Sequence, residues 1–121
     1  MLLRFDMLAV MTASAFSFIA VIWMLAPARF LTAWGVDDSA ATRLVGRRAA
    51  ALYAGVAVML FFGRNAAQSP VRAALVYGLI SSCLLLALLG VYELFKGRAS
   101  KGILAAVLIE LALSLLFIQV I

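Results

Sequence analysis

The chain has 121 residues, 68% of them hydrophobic and 12% charged, with a mean hydropathy of +1.20 and a net charge of +5. Soluble domains are about 45–50% apolar and about 25% charged, so ten basic and five acidic side chains are too few to cover a water-facing surface. The basic residues stand between apolar runs, which points to anionic lipid headgroups rather than nucleic acid as their partner.

A helix crossing a bilayer takes about 20 apolar residues. Four such crossings fill nearly the whole length, and the expected fold is all-α: a single transmembrane domain, a four-helix bundle with short loops. The first span covers about 7–26, interrupted only by Thr12, Ser14 and Ser17, and stops before Pro27. A signal peptide is the alternative for this segment, because Arg4 precedes the run and Ala26-Pro27-Ala28 has the small-x-small form. The length of the run and the acid at Asp6 favour a span.

The connection 27–46 is the longest. Arg29, Phe30, Leu31 and Trp34 read as a short amphipathic piece in the headgroup layer, closed by Gly35. Asp37, Asp38 and Ser39 then offer acceptors that open a new helix, and capping rather than metal binding is the expected role of this acidic cluster.

The second span is expected over 44–63. Its apolar stretch, 49–63, gives about 22 Å of helix, too short to cross unaided, so Arg47 and Arg48 must lie about a turn inside the boundary. The third span covers about 73–92, with Ser69 as N-cap and Pro70 as first helical residue. The fourth covers 102–121, with Ser100 as its cap.

Lys and Arg beside the spans set the orientation. Arg29, Arg43, Arg47, Arg48, Lys96, Arg98 and Lys101 fall in or beside the connections 27–46 and 93–101, against Arg4, Arg64 and Arg72 on the other side. The expectation is a multi-pass protein of a bacterial inner (plasma) membrane, with those two connections cytoplasmic and both termini outside.

In lipid, small residues four apart let helix backbones approach. The lines are Ala9, Ala13 and Ser17; Ala51 and Gly55, continuing from Arg47; Ala74, Gly78 and Ser82; and Gly102, Ala106, Glu110 and Ser114. The face of Tyr77, Ser81, Leu84, Leu88 and Tyr92 on the third span is expected to pack. Trp23, Trp34 and Tyr92 fall where interfacial aromatic rings collect.

Glu110 is the residue to suspect. It lies eight steps from Gly102, roughly 12 Å along the helix, deep in a hydrocarbon core about 30 Å thick. An acid there costs about 2.5–3.5 kcal/mol on insertion scales. Protonation, a cationic partner or a wet cavity must offset that cost. The spacing suggests an Arg47–Glu110 pair in the interior, bordered by Tyr53, Tyr77 or Ser114, with Arg48 turned to the headgroups. Glu93, at the inner end of the third span, competes for Arg47 or Arg48, or pairs with Lys96.

The chain contains no histidine, which excludes an imidazole base and His-ligated haem. Its single cysteine, Cys83, forms no intramolecular disulfide and reads as a small buried or lipid-facing side chain. There is no glycine-rich phosphate loop, nucleophile elbow or calcium loop, and neither a cofactor nor a metal is expected.

The stretch PARFLTAWGVDDSAATRLVGRRA, Pro27 to Ala49, followed by a tyrosine-bearing small-residue helix and a third helix ending near Gly97, resembles small bacterial DoxX-like four-helix membrane proteins. The resemblance implies architecture alone, with no catalytic motif to carry over. The small multidrug exporters also have four spans and a membrane carboxylate, but on the first helix, where this chain has none. The expected function is an accessory, interaction or small hydrophobic-ligand-binding bundle rather than an enzyme, with a second copy or another membrane protein as partner. The alternatives are a proton- or cation-coupled carrier or channel using Glu110, and a quinone-linked redox subunit.

Overall fold

The computed structural model describes residues 4–121, all helix and short connections with no strand among them. In chain order the elements are α1 (Phe5–Leu25), α2 (Pro27–Ala33), α3 (Ala40–Phe62), α4 (Pro70–Phe95), a 3-10 turn (Lys101–Ile103) and α5 (Leu104–Gln119). Four helical segments are long and apolar enough to cross a membrane, the last taken from the 3-10 turn through α5.

Local chemistry sets most of the boundaries. Pro27 disfavours helical backbone at Ala26, which sits at φ −142° and ends α1, while Pro27 opens α2 as its first residue. Gly35 (φ 69°) ends α2: the amides of Gly35 and Val36 reach back to the carbonyls of Thr32 and Leu31. Gly97 (φ 76°) repeats the device after α4, with the amides of Gly97 and Arg98 on Leu94 and Glu93. Ser39 starts α3 with a reciprocal cap: its hydroxyl accepts the Thr42 amide at 3.2 Å and its own amide donates to the Thr42 hydroxyl at 2.9 Å. That cap extends α3 four residues beyond the expected start. Ser69 and Pro70 open α4 as expected, the Ser69 hydroxyl accepting the Arg72 amide at 3.2 Å. Each such cap contributes about 1 kcal/mol.

Ser100 departs from its expected role. It precedes the 3-10 turn but makes no side-chain cap there. Its hydroxyl instead donates to the Ala33 carbonyl at 2.8 Å and its amide to the Trp34 carbonyl at 2.7 Å. The end of α2 and the α4–α5 connection are thereby clasped together. Gly102 lies so close to the Ala33 carbonyl that a side chain there has no room.

The long helices pack as two antiparallel pairs, α1 on α3 and α4 on α5, with α1 also meeting α5. Trp23 packs the Cε3–Cζ3 edge of its ring against Gly46, and the ring stacks on Phe30 at 5.2 Å and meets Trp34 at 5.4 Å. About two turns towards the centre, Phe16 meets Tyr53 edge-on at 5.2 Å. In the other pair, Val107 fills the space left by Gly90. The main apolar cluster draws on all four long helices, including Leu8, Ala13, Leu60, Leu79 and Phe117.

Two helices are rotated away from the expected faces. On α3 the buried positions are Gly46, Ala50, Ala57 and Leu60, while Arg47, Ala51 and Gly55 are exposed. On α4 they are Val76, Leu79, Ile80, Cys83, Ala87 and Gly90, while Ala74, Gly78 and Ser82 face outward. Tyr77 is 60% exposed and Leu84, Leu88 and Tyr92 are exposed with it, so the expected packing face lies on the outside. The physical cause on α3 is visible: the Trp23 ring needs a position without a β-carbon at its own level, and Gly46 supplies it, which turns position 46 inward and position 47 outward. On α1 the expected line is kept at two of its three positions, with Ala9 and Ala13 buried and Ser17 exposed.

Candidate polar site within the helices

Glu110 is half-buried in the middle of α5, seven residues into the helix. The expected partner does not reach it. Arg47 and Arg48 are both exposed, two turns into α3. The ion pairs among the described residues are Arg4–Asp6, Arg43–Asp38 and Arg98–Glu93. Each links residues two or five apart, so each arginine takes the nearest carboxylate in its own turn rather than one on another helix. Glu93 is therefore held by Arg98 at 2.5 Å, not by Arg47, Arg48 or Lys96.

Outside the spans the electrostatics are those of exposed pairs. Arg43 grips Asp38 through Nε at 2.5 Å and Nη2 at 2.7 Å, and this two-pronged hydrogen bond holds the Asp38 carboxyl below its ordinary range. The acidic cluster thus divides its work: Ser39 caps, Asp38 pairs, and the Asp37 carbonyl accepts the Thr42 hydroxyl at 2.8 Å.

Around Glu110 the helices bring together polar groups that are far apart in sequence. Its carboxyl lies within electrostatic range of the Tyr53 hydroxyl on α3 and the Cys83 thiol on α4. Ser114, one turn on, is buried and donates to the Glu110 carbonyl at 2.9 Å, so its hydroxyl is satisfied by its own helix. Tyr77 takes no part, since it faces outward.

Thr12 on α1 is the member that reading the sequence for function passed over. Phe5 of α1 meets Phe117 of α5 with centroids 6.4 Å apart, and the two helices run antiparallel. Seven residues along each, about 10.5 Å, bring Thr12 and Glu110 to one level. Thr12 is 1% exposed and its hydroxyl has no hydrogen-bond partner among the described residues. A buried hydroxyl without a partner is uncommon. The signal was present in the sequence, because Thr12 stands on the stripe of Phe5, Ala9, Phe16 and Trp23 that becomes the buried face of α1.

The arrangement can hold a proton, or accept a hydrogen bond from a donor that enters from outside the chain. It contains no nucleophile paired with a base, and no group of three metal-ligating side chains occurs among the described residues. Comparison of the chain with family models, with curated proteins and with solved structures finds no match.

Proposed function

We propose that the chain is a multi-pass protein of a bacterial inner membrane, a four-helix bundle of DoxX-like architecture that serves as an accessory or small hydrophobic-ligand-binding module. The observation that carries this reading is the carboxyl of Glu110, which pairs with no cation among the described residues. Three of the five acidic residues are held by arginines; Glu110 is half-buried on the span with the smallest buried share. An acid at that depth calls for a partner, and the partner is supplied from outside: a donor group on a second copy, on another membrane protein or on a small apolar ligand. The orientation follows from charge. The seven basic residues in or beside the two clasped connections form the cytoplasmic end, and both termini lie outside.

The test is Glu110→Gln in reconstituted vesicles. The module reading expects the substitution to alter assembly, read by counting bleaching steps of singly labelled chains, with no pH-dependent flux in either form. The second reading, a proton- or cation-coupled carrier, is favoured by the unpartnered Thr12 hydroxyl at the level of the acid. Flux that rises with a pH gradient and vanishes in Glu110→Gln replaces the first reading with the second.

A further inference from the structure

The end of the molecule opposite the α2 clasp carries an open depression of about 360 Å³, into which Arg4, Arg64, Arg72, Asn65 and Asp6 project. The three guanidiniums are held in place from behind. Arg72 lies over the Phe5 ring at 4.0 Å, with Nη1 on the Ala66 carbonyl at 3.2 Å and Nη2 on the Val120 carbonyl at 2.9 Å. Arg64 lies over the Phe61 ring at 4.0 Å, with Nη1 on the Phe61 carbonyl at 2.6 Å. Arg4 is forked on Asp6 at 3.1 and 2.7 Å. Rings and carbonyls fix a guanidinium without neutralising it, so three positive charges face one negative.

Two features mark this charge as more than a solvated rim. The Arg72 Nε is buried and has no acceptor among the described residues, and an unmet charged donor is costly. Arg72 also stands in the first turn of α4, where a cation opposes the helix dipole. The remaining donors of Arg64 have no acceptor among the described residues, and the Asn65 amide lies beside them in the wall. Planar guanidinium forks match the oxygens of a phosphate, and either face of a bilayer presents phospholipid headgroups at the depth where the spans end.

We propose that this pocket binds a phosphate group, supplied by the headgroup of an anionic phospholipid. The site lies at the end of the four spans, where such phosphates are concentrated, and it is wide enough for a headgroup rather than a bare ion. It does not depend on Glu110, so its failure and that of the proposed function are separable.

The experiment follows the arginine Nε–H signals by NMR, with the full chain in dodecyl maltoside micelles, which carry no phosphate. Short-chain phosphatidylglycerol, short-chain phosphatidylcholine and inorganic phosphate are titrated separately. Saturable shifts at Arg64 and Arg72 are expected with phosphatidylglycerol, at several-fold lower concentration than with phosphatidylcholine. Arg64→Gln weakens binding by at least about tenfold, the size of one lost charge-assisted hydrogen bond, and Arg98→Gln at the far end leaves it unchanged. Arg4→Gln serves as the second variant should Arg64→Gln fold poorly, with the same loss expected. Saturation by inorganic phosphate alone keeps the phosphate site and overturns the lipid as its source. No saturable shift with any of the three, or full affinity in both Arg64→Gln and Arg4→Gln, overturns the site.

Discussion

Gly46 tests the packing of α1 on α3 more sharply than any other single position. A β-carbon at 46 runs into the Cε3–Cζ3 edge of the Trp23 ring, below any real contact distance for the nearest ring atom and 2.5 Å from the next. The ring cannot slide freely, because Phe30 stacks on it at 5.2 Å and Trp34 meets it at 5.4 Å. Gly46→Ala must therefore open the aromatic cluster or separate the helices, and overpacking of this kind costs about 1–3 kcal/mol. The gain from replacing a helical glycine, about 0.5–1 kcal/mol, does not offset it. Gly55 and Gly78 provide the contrast: a β-carbon at either meets nothing within 4 Å, so Gly55→Ala and Gly78→Ala keep or raise stability by about 0.5–1 kcal/mol. Reversible unfolding in mixed micelles measures all three. Tryptophan emission adds a local readout, because the chain has only two tryptophans and both belong to this cluster. Emission shifts in Gly46→Ala and stays fixed in the other two. A Gly46→Ala chain as stable as Gly55→Ala, with an unchanged spectrum, refutes the register of α1 on α3.

Further outcomes follow from single contacts. Ser100→Ala removes the hydroxyl from the Ala33 carbonyl and lowers stability by about 0.5–1.5 kcal/mol, while Gly102→Val opens the clasp, seen as faster amide exchange at Ser100. Thr12→Val replaces an unpartnered buried hydroxyl by a methyl of similar size, so stability is kept or rises by about 1 kcal/mol; a loss of that size shows that the hydroxyl has a partner. Asp38 is held below its ordinary range by Arg43. A carboxyl depressed in the folded state stabilises above its unfolded value of about 3.9 and loses that contribution as pH falls through the lowered value. In Arg43→Gln the Asp38 titration followed by NMR therefore moves up toward about 3.9.

The four spans were legible because they answer to the solvent. Apolar runs of the right length between basic connections have few other solutions, and Pro27, Ser69, Pro70 and Gly35 mark their limits by local chemistry alone. The rotation of α3 and α4 was not legible. In a soluble helix the polar face announces the buried one, but these helices are apolar on all sides, so Ala51 and Gly55 look as fit for packing as Gly46 and Ala50. The choice is made by Trp23, a residue on another helix whose ring no local pattern includes. The failure of the Arg47–Glu110 pair has the same origin, since turning position 46 inward carries Arg47 out. Glu110 itself was found by its depth, which needs only counting. Thr12 escaped because its significance lies in having no partner, a property that exists only once the helices are assembled.

The account stands on lipid as the solvent and on Glu110 lying deep within it. Spin-label depth measurement at position 110 tests this most directly, using Glu110→Cys in a Cys83→Ala background, reconstituted in phospholipid vesicles, with Gly97→Cys as the boundary reference. A label at 110 should relax strongly with oxygen and hardly at all with a water-soluble nickel complex, and a label at 97 should do the reverse. Equal access of the nickel complex to both positions contradicts the account.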